Sequence, residues 1–319
     1  MNVMKIINVM NIIKITYIMN VMKVIHLKRP RQGAFPFYAR ENYFRFIIVL
    51  DRRWFEMVNR KYEFTGEVYK HSRNGMVTDI FQIRALCDIP EHGVKKGDLG
   101  GYVEGEHNLS QEGSCWVGGK AEVCEQARVE EDAYVGGQAV VWDDAIVRGQ
   151  AVVDGHSSVC FFALVEDQAM VTDWSIVSDC AIVRGQAVIA GNAGILSNSV
   201  VEDQVCVNGH AMVFGHAHLS GEATITEYAV IMDNAVIKDA AVVRGKAHVC
   251  SSAKVSGNAV IEDKASLTGR VEVSGNACIG GETFLKEDIK IYGTVPDPGK
   301  EKEKEREAVL TKRSGNMKR

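Results

Sequence analysis

The sequence predicts an all-β chain, a solenoid with a small N-terminal β cap, and three observations carry the solenoid. From Cys115 to Thr294 the chain repeats every six residues, thirty times, without insertion or deletion. Within each hexad a small first residue and an aliphatic third residue flank a variable one, the period of two of a short strand with one buried face. Position five is Gly in fifteen hexads and Asp in eight, residues that tolerate the positive φ of a tight corner.

The N-terminal stretch 1–56 comes first. It opens with three imperfect nine-residue repeats, MNVMKIINV, MNIIKITYI and MNVMKVIHL. Lys5, Lys14 and Lys23 recur in phase, so no uninterrupted apolar span of about twenty residues exists. We read 1–56 as a non-native upstream or disordered extension, with Met57 as the working start. The other reading is a membrane-surface or partner-binding arm.

Residues 57–114 do not repeat. KYEFTGEVY and MVTDIFQIRAL alternate like strands, with SRNG as the turn between them. This segment is expected to cap the first coil, whose open edge would otherwise aggregate. Residues 115–294 are the solenoid. Residues 295–319, with Lys and Glu alternating from Lys300 to Glu305, read as a charged tail.

The hexad, small then aliphatic two residues later, resembles that of the hexapeptide left-handed parallel β-helix. That resemblance implies left-handed coils with three faces and eighteen residues per turn. Thirty hexads then make about ten three-sided coils, roughly 48 Å of rod at about 4.8 Å per coil. Each coil buries three aliphatic side chains, at about 1.5–3 kcal/mol apiece, which suffices to fold without metal or disulfide.

Charge is uneven. The chain has a formal net charge of −4, but 1–56 carries +7 and 299–319 carries +4, which leaves the body at −15. An acidic rod argues against nucleic acid as a partner, and no membrane span is expected. The eight cysteines show no C-x-x-C. No two lie eighteen apart, the separation that would stack them within disulfide reach. Reduced thiols in the cytoplasm fit this pattern.

Stacking by eighteen turns the sequence into columns. One reads Glu130, Arg148, Glu166, Arg184, Glu202, an alternating ion-pair ladder worth about 0.2–1 kcal/mol per step. Another contains Gln150, Gln168, Gln186 and Gln204, an amide ladder. A third, outward by its position, begins Trp116, Tyr134, Val152, Met170, and a fourth contains Trp142, Leu196, Phe214 and Met232. Apolar strips of this length mark an interface. Trp116, Tyr134, Met170, Trp142 and Phe214 are the expected contact residues of a homo-oligomer, a dimer or trimer.

The strings IRALCDI, GVKKGDLGGYVE and NLSQEGSCWV, followed by hexads, resemble the bacterial YdcK-like β-solenoid proteins over about 57–294. Members of that family carry an acyltransferase label that rests largely on their fold, and fold alone does not establish activity. In hexapeptide acyltransferases a histidine serves as general base beside an acyl thioester. The corresponding candidates here are His210 and His216, at the sixth position of consecutive hexads in NGHAMVFGHAH.

No metal site is expected, since the trimeric zinc pattern of one His, a two-coil gap and two His five apart does not occur. No P-loop or dinucleotide fingerprint is present. The favoured function is a structural or ligand- or partner-binding solenoid that self-associates through an apolar face and needs no cofactor. The alternative is a hexapeptide-class acyltransferase that uses an acyl-CoA or acyl-carrier co-substrate with His210 or His216 as base.

Overall fold

A computed structural model describes residues 60–73 and 75–293. The expectations for 1–56 and 295–319 lie outside the described residues. Cap and rod belong to one compact unit that begins at Arg60.

The rod is a left-handed parallel β-helix with three sheets, as the resemblance to the hexapeptide β-helix implies. Its repeating strands are two residues long, beginning with β4 (Trp116–Val117), β5 (Glu122–Val123) and β6 (Arg128–Val129). These three open faces I, II and III. Each strand pairs in parallel with the one eighteen residues on, as Val152 pairs with Met170 and Leu164 with Ile182. Backbone amides donate along the rod, Val152 N to Ala169 O at 2.9 Å and Asp154 N to Val171 O at 2.9 Å.

The lumen follows from the hexad. From Cys115 to Ile279 the first and aliphatic third residues, among them Ala151, Val153, Ala187, Ile189 and Ile237, are fully buried. Where position one is Ser, the buried hydroxyl is satisfied locally. Ser157 donates to Asp154 O at 2.7 Å, Ser175 to Thr172 O at 2.6 Å and Ser199 to Leu196 O at 2.7 Å. A short polar side chain therefore enters the core without an orphaned group.

Position five adopts positive φ from Gly119 to Glu287, for example 60° at Asp167 and 72° at Gly185. At the corner between faces III and I the residues run Glu131, Gly149, Asp167, Gly185, Asp203, Gly221, Asp239, Gly257. Each carboxylate reaches the amide one coil on: Asp167 Oδ2 accepts from Gly185 N at 3.1 Å, and Asp203 Oδ2 from Gly221 N at 2.9 Å. A Cβ on Gly185 would lie 2.7 Å from Asp203 N. Asp clips the coils together at this corner, and Gly makes room for the Asp that follows.

The cap is a hairpin, β1 (Tyr62–Arg73) and β2 (Met76–Ala85), followed by β3 (Leu99–Val103). Strand β3 pairs antiparallel with β2 and parallel with β5, Tyr102 opposite Glu122. It thus converts an antiparallel hairpin into the first edge of face II. Leu109 bridges Val129 on face III. Residues 102–109 therefore form part of an additional turn ahead of the ten expected, about eleven in all. Eight positions separate Leu109 from Val117 where the hexad would place six, and the two extra residues widen this corner.

Two glycines of the GDLGGYVE string permit the docking. A Cβ on Gly100 would lie 2.6 Å from Val117 O and 2.7 Å from the Trp116 ring, and one on Gly101 2.5 Å from Ala121 O. Trp116 is consequently only 2% exposed. It was expected on an outward contact strip, and the cap takes that place instead. Tyr134, one coil below, is half-buried and lies 5.1 Å from the His92 ring. The column becomes open to solvent further down, at Met170.

Candidate functional site

Face II carries the most apolar outward surface. Its two outward columns include Val140, Trp142, Ile176, Leu196, Met212, Phe214, Val230 and Met232, all half-buried or exposed. From Trp142 to Cys250 is six coil steps, about 29 Å. Two side chains at its corners stand out furthest, Phe162 at 65% exposed and Trp174 at 60%. Trp142 donates from Nε1 to Ser158 Oγ at 3.2 Å, and its ring lies 5.4 Å from Phe161. Trp142 and Phe214 thus share one face, and Met170 sits on the neighbouring one.

The charge column resolves into pairs. Arg148 donates from Nε (2.9 Å) and Nη2 (2.5 Å) to Glu166 Oε2, and Arg184 does the same to Glu202 at 2.8 and 2.5 Å. Both bonds come from one edge of the guanidinium, so each Arg engages the Glu one coil on. Glu130 pairs with Arg128 of the strand just before it at 3.2 Å. The same device recurs on face I, Arg244 to Glu262, in the string VVRG that echoes IVRG.

Glu202 Oε1 also meets His218 Nε2 at 2.7 Å. Burial works against ionisation of Glu202, but Arg184 and His218 hold its carboxyl below the usual range. The amide ladder runs Gln186 to Gln168 at 3.2 Å and Gln168 to Gln150 at 3.3 Å. Gln204 stands next in that column and makes no such bond among the described residues.

The two candidate bases lie at different corners of one coil, and both are exposed. The His210 ring stacks on Tyr228 with centroids 4.9 Å apart, nearly parallel at 8°. The backbone amide of His216 donates to Asp233 O at 2.6 Å. Of the three histidines in NGHAMVFGHAH, the one with a carboxylate partner is His218; in the cap, His71 pairs with Glu122 at 2.5 Å. A second stack on the His210 corner column, His156 on Trp174 at 4.0 Å and 7°, shows that histidines here pack on the aromatic one coil on. Among the described residues, no group of three His, Cys, Asp or Glu is placed to hold a metal ion.

The cap junction holds polar groups that pattern reading passed over. Asn108 is fully buried and satisfied, donating to Glu125 O at 3.0 Å and Ala127 O at 2.9 Å while accepting from Gly105 N at 2.8 Å. Tyr62 Oη donates to Leu109 O at 2.8 Å, and burial pushes its phenol well up. Lys61 is 4% exposed. Its ammonium donates to Glu112 O at 3.3 Å, Gly113 O at 3.4 Å and Cys115 Sγ at 3.0 Å.

Asp132 accepts from the Ser114 amide and hydroxyl, and these bonds hold its carboxyl low. A half-open pocket of about 570 Å³ borders this corner, lined by His107, Ser110, Glu112, Gly113, Glu130 and Glu131. The only hint in the sequence is the break in hexad spacing between Leu109 and Val117. No helix among the described residues is long and apolar enough to cross a membrane. In comparisons with known proteins, no family model and no curated protein matches the sequence.

Proposed function

We propose that this chain is a YdcK-like structural or binding solenoid, working in the cytoplasm without catalysis of its own, and that it assembles with copies of itself through face II. The observation that supports the reading is the largely apolar strip around Trp142, Leu196 and Phe214, flanked by exposed Phe162 and Trp174. Large exposed apolar strips tend to be covered in use. A second copy suits this one because its side chains repeat at the same axial spacing, about 4.8 Å per coil. The cysteines form no disulfide, in keeping with a reducing compartment.

Light scattering after size exclusion tests the assembly. The wild-type chain is expected as a dimer or trimer, and Phe214→Glu or Leu196→Glu as a folded monomer. A wild-type chain that is monomeric at micromolar concentration would overturn the proposal. Acyl-CoA turnover lost in His210→Ala or His216→Ala would overturn its non-catalytic part.

A further inference from the structure

The widened corner between Leu109 and Val117 holds a pair that coil packing does not require. Position one of the hexads is Ala in most coils, and Ala would fill the site of Cys115. Cys115 is fully buried, and the Lys61 amine lies 3.0 Å from its sulfur. Among the described residues Lys61 makes no ion pair with a carboxylate; its bonds go to two peptide carbonyls and this thiol. A desolvated amine is costly to keep with two carbonyls and a neutral thiol as its partners and no carboxylate.

Oxidised to sulfenic acid, a thiol condenses with a nucleophile at hand, a second thiol or a nitrogen. For Cys115 that nucleophile is the Lys61 amine. The pocket at this corner brings solvent to Ser110, Glu112 and Gly113, whose carbonyls contact the pair. We propose that Lys61 and Cys115 form an oxidative sulfur–nitrogen staple, a sulfenamide that ties the cap to the first coil, with a peroxide as the oxidant.

The Cys115 thiol, which burial holds protonated, gives up its proton as its sulfur attacks one peroxide oxygen. The S–O bond forms, the O–O bond breaks, and hydroxide leaves and is protonated to water. The lysine gives up a proton to solvent and attacks sulfur with its lone pair. The S–O bond then breaks, and the departing hydroxide takes a second amine proton as water. Thiol, ammonium and hydrogen peroxide become sulfenamide, two waters and one proton. Sulfur is oxidised and peroxide reduced.

The test treats the reduced full-length chain with hydrogen peroxide and reads intact mass and peptide maps. The exposed Cys87 and Cys180 are first replaced by Ser, which also removes a Cys87–Cys115 disulfide as a source of the same mass change. The expected product is two hydrogens lighter. Its peptides are joined through positions 61 and 115, tryptic cleavage after Lys61 is lost, and a thiol reductant reverses both. Cys115→Ala, which matches the other coils, is expected to fold and to lack the product. The proposal is overturned if Cys115 stays a thiol at a dose that fully oxidises Cys87 and Cys180 in the wild-type chain. Oxidation of Cys115 to sulfinic acid while Lys61 remains open to acylation also overturns it.

Discussion

Replacing Gly100 by Ala adds one methyl group where cap meets rod. In most settings that change is mildly stabilising, by about 0.4–1 kcal/mol, because it restricts the unfolded chain. Here the new Cβ would lie 2.6 Å from Val117 O, 2.6 Å from Ile83 Cγ1 and 2.7 Å from Trp116 Cζ2. Ordinary contact begins near 3.4 Å, so strand β3 must move off the first coil by about 0.8 Å. The Val117 carbonyl cannot swing aside as a side chain can. Overpacking of this kind costs about 1–3 kcal/mol, and partial uncovering of Trp116 adds to it at about 25 cal/mol per Å².

A loss of about 2–4 kcal/mol in cap stability follows from these terms. Gly105→Ala is the control, because its Cβ would meet only the His107 side chain, which can rotate. Hydrogen exchange across β1–β3 and a red shift of Trp116 emission, in a chain whose other tryptophans are Phe, would report it. If Gly100→Ala protects the cap as well as Gly105→Ala does, the close-approach argument is refuted.

Other consequences follow from the columns. Ile237→Ala, at a fully buried lumen position, should cost about 2–5 kcal/mol, with lost exchange protection confined to adjacent coils; uniform loss along the rod would contradict nearest-neighbour stacking. Glu202 has a depressed folded pKa, so its contribution is present above the unfolded value and lost as pH falls through the folded one. Glu202→Gln should flatten the acid limb of the stability profile there, and an unchanged limb would count against the Arg184–Glu202–His218 cluster. Deleting 253–270 removes one coil beyond Cys250 and leaves Trp142, Phe162, Trp174, Leu196 and Phe214 in place. Deleting 145–150 keeps the lumen pattern but turns every later face by one side. The first variant should self-associate like the parent and the second should not; equal assembly would refute face II as the contact.

Much of the rod was legible because its residues report their own environment. An aliphatic residue at position three of thirty hexads, two after an alanine in twenty-two of them, can be buried in only one way. The lumen positions from Val117 to Ile279 obey, while Leu285 and Ile291 at the open end are partly exposed. The ion-pair and amide columns were legible once eighteen residues were taken as one turn. Their detail was not, because an Arg in a column has two Glu neighbours in sequence, and only the orientation of its guanidinium selects one. Trp116 read as outward since its hexad position is outward; nothing in that position shows that Gly100 lies over it. His210 and His216, at the sixth position of consecutive hexads, read as lying near adjacent corners, and there they lie; the pattern does not show that His210 stacks on Tyr228.

By itself the sequence determined the solenoid, its phase and its lumen, since strict periodicity translates directly into which side chains face inward. The tertiary structure decided what the non-repeating residues do: the turn ahead of the rod, the burial of Trp116, and the approach of Lys61 to Cys115 across fifty-four positions. Those outcomes depend on contacts between distant segments at a corner two residues wider than the repeat. A periodic pattern carries no information about the place where it is broken.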